Sequence, residues 1–158
     1  MLDNKIVFLN KDNIEKHIDA MIDIENISFS QPWSREAYLG EALNNNMAHY
    51  VGYVDEDRFL GYGGFWLIFD EGHISNIAVH PDYRGQGIGR QVVTALAFLC
   101  IALAGKRMTL EVRVSNTFAI HLYEEIGFKS VGKRKGFYTD NNEDAYIMWL
   151  DLNDLKEK

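Results

Sequence analysis

The stretch His73 to Arg90, HISNIAVHPDYRGQGIGR, decides how the chain folds. Its first half alternates and carries β-branched residues, the pattern of a strand. Pro81-Asp82-Tyr83 breaks that strand, and Arg84-Gly85-Gln86-Gly87-Ile88-Gly89 leads into a long apolar helix expected from about Gly87 to Ala104. A glycine-rich turn entering a helix points several backbone N–H groups outward at the positive end of the helix dipole, with no side chains in the way. Such a turn seats an anion, for instance a phosphate.

Working outward, Lys5 to Leu9 reads as a first strand, and Asp12 with Glu15 as a capping box for a helix that lines up Ile14, Ile18, Met21 and Ile22. Ser34 is placed to cap a second helix from Arg35 to about Leu43. Ala48–Val54 and Phe59–Ile68 read as strands joined by Asp55-Glu56-Asp57, and Asp70-Glu71-Gly72 turns into the opening stretch. Links this short make an antiparallel meander. The long helix is apolar on most faces, hence largely buried, and Gly105 stops it. The strand Met108–Val114 then returns as a parallel neighbour through a right-handed crossover. Ser115-Asn116-Thr117 caps a short helix through Ile126, Gly127 ends it, and Val131–Tyr138 with Ala145–Leu152 forms a last hairpin. The expectation is one mixed α/β (α+β) domain over residues 1–158, with a mostly antiparallel sheet and helices on both faces.

With 158 residues the chain can bury a real core without staples. Its single cysteine, Cys100, excludes an internal disulfide and lies in an apolar helix, as a core thiol would. The opening MLDNKIVFLN lacks the basic head and apolar run of a signal peptide, and Val92–Ala104 is too short to span a bilayer. A soluble, cytoplasmic protein is expected, with no membrane partner. The net charge of −7 argues against direct nucleic-acid binding, since the one dense basic cluster is Lys133-Arg134-Lys135. An anionic ligand would need Arg84, Arg90 and the glycine amides to outweigh that charge. The histidines (His17, His49, His73, His80, His121) lack metal-ligand spacing, and no metal is expected.

Three phosphate motifs compete. A P-loop needs Lys-Ser/Thr after its last glycine, but Arg90-Gln91 follows Gly89. The dinucleotide fingerprint fits Gly85 and Gly87, with Glu111 near the offset of about 20 residues where a ribose ligand would stand. Against it, Arg90 replaces the third glycine, four residues (His80 to Tyr83) separate strand from turn, and repeated βαβ units are missing. The third is R/Q-x-x-G-x-G/A after a strand ending in an apolar triplet, here Arg84 to Gly89 after Ile77-Ala78-Val79.

With that motif the chain resembles the GNAT superfamily of acetyl-CoA-dependent N-acetyltransferases, most closely the RimI-type branch that acetylates N-terminal alanines of ribosomal proteins. Four blocks carry the resemblance: Phe29-Ser30-Gln31-Pro32-Trp33; Asn76 to Arg90; Leu110 to Asn116 with Ala119-Ile120 and Leu122-Tyr123-Glu124; and Gly127-Phe128 with Tyr138, Asp140 and Asp144-Ala145. The resemblance implies acetyl-CoA as cosubstrate, entering between two central parallel strands that splay apart. The backbone of Ile77, Ala78 and Val79 would pair with the pantetheine arm. The amides of Arg84, Gly85, Gln86, Gly87, Ile88, Gly89 and Arg90 would hold the pyrophosphate, and Asn116 and Tyr123 would also meet the cofactor. It further implies Glu111 as general base, through a water, Tyr123 as general acid, and the Val79 N–H as oxyanion donor. Phe29, Trp33, Tyr138 and Asp140 would line the acceptor pocket, with Tyr38 a further candidate, and for Trp33 and Tyr38 a place in the core fits equally well.

Acceptor chemistry adds a constraint. An α-amine has a pKa of about 7.7–8.0 and a lysine about 10.4, so presenting the neutral amine at pH 7 costs about 1–1.4 kcal/mol for the former and about 4.6 for the latter. A modest carboxylate base therefore suits an N-terminal acceptor. Two rivals stay open: the same enzyme acting on a small amine, and a non-catalytic acetyl-CoA-binding module.

Overall fold

Among the described residues, seven strands form one sheet in the order β1-β2-β3-β4-β5-β7-β6. The structure, a computed structural model, describes residues 5–156. Residues 1–4, on which part of the leader expectation rests, and 157–158, which close the expected domain, lie outside the described residues. The strands are β1 (Ile6–Leu9), β2 (Ala48–Asp55), β3 (Arg58–Ile68), β4 (Glu71–Val79), β5 (Arg107–Arg113), β6 (Lys129–Tyr138) and β7 (Glu143–Asp151). Neighbours run antiparallel except β4 and β5, the crossover pair. The meander and the mixed sheet are therefore as expected.

Alternation in β2 and β3 builds a core on each face. Val51, Leu60 and Phe65 point to one side, where α3 (Ile88–Ala102) contributes Val92, Val93, Leu96 and Cys100. Tyr50, Phe59 and Tyr62 point to the other, against Ile14, Ile18, Met21 and Ile24 of α1 (Ile14–Ser28) and Tyr38 of α2 (Arg35–Asn44). A strand covered on both faces loses its polar positions, which is why β3 reads as a nearly continuous apolar run. The shorter helices α4 (Thr117–Ile126) and α5 (Leu152–Lys156) are the other α-helices among the described residues.

Two local expectations change. No capping box forms at α1: Asn13 is the cap residue and makes no side-chain cap bond. The turn is organised by Asn10 instead, whose side-chain oxygen accepts the Asp12 N–H at 2.8 Å and whose carbonyl accepts the Ile14 N–H at 2.9 Å. At the far end of α3 the left-handed residue is Ala104 (φ 68°), and Gly105 is needed for space. A Cβ there would lie 2.2 Å from Cys100 Sγ. Elsewhere the caps follow the sequence, with Ser34 Oγ accepting from Ala37 N at 3.1 Å and Asn116 Oδ1 from Ala119 N at 3.2 Å.

The irregularity that matters lies in β4. It pairs with β5 only at Glu71–Arg107, Gly72–Met108 and His73–Thr109. On its other edge, Ile74 pairs with Phe65 and Asn76 with Gly64, so Ser75 is an extra residue in the ladder. A bulge bends its strand, and this bend coincides with the point where β4 leaves β5. The backbone from Ile74 to Val79 thereby has no strand partner on its β5 side.

Candidate active site

The gap between β4 and β5 opens into two cavities. One, of about 690 Å³, runs along Ile77, Ala78 and Val79 to the turn at Arg84–Arg90 and on to Asn116, Ala119 and Leu122. The other, of about 730 Å³, is walled by Phe29 and Trp33, by Glu111 and Arg113, and by Tyr138 and Asp140. Ser28, Phe29, Ile77, Asn116 and Tyr123 line both, so the cavities meet at the gap.

The turn at the first cavity has the backbone its glycines were read for. Gly85 (φ 80°) and Gly87 (φ 85°) are left-handed, and a Cβ on either would meet no protein atom within 4 Å. The glycines thus keep the space in front of the amides open as well as permitting the turn. Gly89 has no positive φ and sits against Leu122, where a Cβ would be at 3.4 Å. Of residues 84–90, Gln86 alone does not line the cavity; it is exposed. The arginines are already engaged. Arg84 donates from Nε to the Val79 carbonyl at 3.0 Å and from a terminal nitrogen to Ser28 Oγ at 3.3 Å, while Arg90 pairs with Glu125 of α4 at 2.5 Å. A phosphate in this seat would be met first by amides and the dipole of α3.

Glu111 stands on β5 opposite Ile147 of β7 and lines the second cavity, with Arg134 Nε of β6 at 3.8 Å from its carboxylate. Tyr123 projects from α4 to the junction of the cavities. It is 8% exposed and packs against Phe128, and its hydroxyl has no hydrogen-bond partner among the described residues. Burial, and to a lesser degree Tyr138 nearby, pushes its pKa well above that of a free phenol, so the proton is held. Asn116 lines both cavities while its side chain caps α4.

All four expected acceptor residues line the second cavity. Asp140 is tied down by Arg113 at 2.8 Å and by Ser30 Oγ at 2.8 Å, and Arg113 lies 4.0 Å from the centroid of the Tyr138 ring. Tyr38 belongs to the core, its hydroxyl donating to Glu25 at 2.7 Å.

Three residues of this region escape the sequence reading. Arg113 reaches both Asp140 and Glu143, and Glu143 in turn accepts the Ser115 N–H at 2.8 Å, linking the last hairpin to the cap of α4. Glu25, 1% exposed, accepts the hydroxyls of Tyr38 and Tyr62 and the Trp33 N–H. Glu41, 9% exposed, accepts from Trp66 Nε1, Tyr50 and Asn45. A signal for Glu25 existed: it continues the stripe Ile14, Ile18, Met21 at helical spacing, so a carboxylate stands where the pattern demands an apolar residue.

The sequence matches the Acetyltransferase (GNAT) family over residues 18–128. The chain belongs to that family. Within it, a Bacillus subtilis protein named as a candidate ribosomal protein bS18-alanine N-acetyltransferase is 42% identical over 137 residues, covering 87% of this chain and 91% of its own. The crystal structure of the ribosomal-protein-S18-alanine N-acetyltransferase from Escherichia coli superposes with a TM-score of 0.81 at 30% identity, covering 93% of this chain and 92% of that one. A spermidine N-acetyltransferase chimera derived in part from Vibrio cholerae superposes with a TM-score of 0.83 at 17% identity, over 98% of this chain and all of its own (100%). At that identity only the fold is shared. The GNAT chain is thus an acetyl-CoA-dependent N-acetyltransferase. The unpaired β4 edge and the open amide turn fit that cosubstrate. Among the described residues no group of His, Cys, Asp and Glu could hold a metal ion, and no helix is long and apolar enough to cross a membrane.

Proposed function

We propose that this acetyltransferase modifies the N-terminal α-amine of a ribosomal protein, with alanine as the first residue. The observation that carries the reading is the junction of the two cavities at the β4–β5 gap, with Glu111 on one wall and Tyr123 at the meeting point. The relatives' names supply the acceptor class.

When bound, acetyl-CoA supplies an acyl group activated as a thioester. The work left to the protein is proton handling and placement. Glu111 faces the cavity from which the acceptor comes, so its carboxylate takes the ammonium proton through a water. The proton on Tyr123, held by burial, is available to the departing sulfur. The Val79 N–H is the proposed oxyanion donor, on the strand edge that has no β5 partner. The amides of Arg84–Arg90, the backbone of Ile77–Val79 and Asn116 hold the cosubstrate. Phe29, Trp33, Tyr138 and Asp140 line the acceptor's approach. The net charge of −7 supports a basic protein partner and no direct contact with nucleic acid or an anionic membrane, in keeping with a cytoplasmic enzyme.

The test is acetyl transfer to peptides beginning with alanine, run beside polyamines, aminoglycosides and free amino acids. Transfer to the α-amine of the peptides supports the proposal. Activity confined to the small amines would replace it with the small-amine reading, and acetyl-CoA binding without transfer to any acceptor would make the chain a binding module.

A further inference from the structure

Beside the acceptor cavity, and sharing Trp33 with it, lies a second recess. It is an open groove of about 440 Å³ lined by Trp33, Ala37, Gly40, Glu41 and Trp66. Two indoles and one carboxylate make up its chemistry, and nothing in the mechanism uses it. Its floor is small, with alanine and glycine one helical turn apart on α2 (a Cβ on Gly40 would meet nothing within 4 Å).

The carboxylate is the unusual part. Glu41 is nine-tenths buried, yet all its partners are neutral: Trp66 Nε1 at 2.6 Å and the Tyr50 hydroxyl at 3.3 Å on one oxygen, and Asn45 Nδ2 at 2.7 Å on the other. No cation pairs with it among the described residues. Buried carboxylates are ordinarily paired with cations. Glu25, on the other side of Trp33, is likewise bound only by neutral donors. Indole faces attract cations through their quadrupole, and the Glu41 carboxylate at the edge of the Trp66 ring adds to that attraction.

We propose that this groove is a subsite for a cationic side chain, lysine or arginine, of the acceptor polypeptide. The residue would lie a few positions after the acetylated terminus, where the chain leaves the catalytic cavity over Trp33. The inference rests on the reading of the acceptor as a polypeptide N-terminus. Continuity through Trp33 places the subsite on that path, and charge complementarity selects the occupant. It would let the enzyme choose among proteins sharing a first residue, using a part of the chain that takes no part in chemistry.

The test uses the intact protein and a set of alanine-initiated hexapeptides in which one lysine or arginine is walked through the second to sixth positions. Each is compared with a peptide carrying norleucine or citrulline there. At one position or two adjacent ones, kcat/KM for the cationic peptide should exceed that of its neutral partner by about three- to ten-fold. That ratio should fall towards one in Trp66→Leu and in Glu41→Gln, each variant serving as its own reference through the neutral peptide. Equal rates at all positions, or faster transfer to the neutral side chain, would overturn the subsite while leaving N-terminal acetylation standing. Transfer to none of the peptides would overturn the acceptor reading and the subsite with it.

Discussion

Ser30 Oγ donates a hydrogen bond to Asp140 Oδ2 at 2.8 Å, joining two loops separated by 110 positions in sequence. Ser30 belongs to the segment between α1 and α2, and Asp140 to the turn between β6 and β7. Arg113 of β5 holds the same Asp140 oxygen from the other side at 2.8 Å. The two loops that wall the acceptor cavity are therefore fastened to each other and to the strand that carries Glu111. A change in any of Ser30, Asp140 or Arg113 should alter how the acceptor is held while leaving the cosubstrate seat alone.

Asp140→Asn keeps the shape and removes the charge that Arg113 holds. It should raise KM for an acceptor peptide severalfold with little change in acetyl-CoA affinity, as read by initial-rate kinetics and calorimetry. The pH behaviour has a definite sign. Arg113, and then Ser30, hold the Asp140 carboxyl below the usual carboxylate range. Glu143, bound by Ser115, is held down to about 2. A depressed folded pKa contributes stability above the unfolded value of about 3.9, lost as pH falls through the folded one. The difference in unfolding temperature between wild type and Asp140→Asn should thus stay level from neutral pH to about pH 5 and shrink below about pH 4.

Glu111→Gln and Tyr123→Phe test the proton path. Each should lower kcat by about 10²–10⁴-fold, the usual yield of a positioned acid or base, with acetyl-CoA binding retained. For the wild type, kcat/KM on an α-amine acceptor should climb through about pH 7–8, where that amine loses its proton. Near-normal turnover of both variants at saturating acetyl-CoA would show that neither residue moves the proton.

What the sequence made legible has a physical pattern. The β-branched residues in His73–Val79, the glycines at 85 and 87 and the caps at Ser34 and Asn116 all encode local backbone geometry, and local geometry leaves its mark on neighbouring residues. At the start of α1, Asp12 and Asn10 are equally good turn formers, and only their contacts decide between them. Arg113 and Glu41 were invisible for a different reason. Each gains its meaning from partners on other elements, Asp140 and Glu143 for one, Trp66 and Tyr50 for the other. No spacing along the chain records such a meeting.

Gly87→Ala separates a folding requirement from a binding one. The residue sits at φ 85°, so a Cβ should cost about 1–2 kcal/mol of backbone strain. No protein atom lies within 4 Å of that Cβ, so no packing penalty is added. The new methyl would instead project into the space before the turn amides. Acetyl-CoA affinity should therefore fall by more than the loss in thermal stability accounts for. A drop in stability with unchanged affinity would move the phosphates elsewhere.

Five of the eight tyrosines have their pKa raised above the free value, chiefly by burial: Tyr38, Tyr50, Tyr62, Tyr123 and Tyr138. For Tyr38 and Tyr62 the hydroxyl also donates to the Glu25 carboxylate, which opposes loss of its proton. A folded pKa raised above the unfolded value of about 10 gives stability that is complete below pH 10 and lost as pH rises further. Spectrophotometric titration of these five reads that loss directly. The buried ones should ionise in a single steep step that coincides with loss of the far-ultraviolet dichroism, because the chain must open before Tyr38 and Tyr62 can give up their protons. Glu25→Gln should move that step to lower pH, since it weakens the core that keeps those hydroxyls protonated. A gradual titration of Tyr38 and Tyr62 in the folded protein would contradict the burial seen around Glu25.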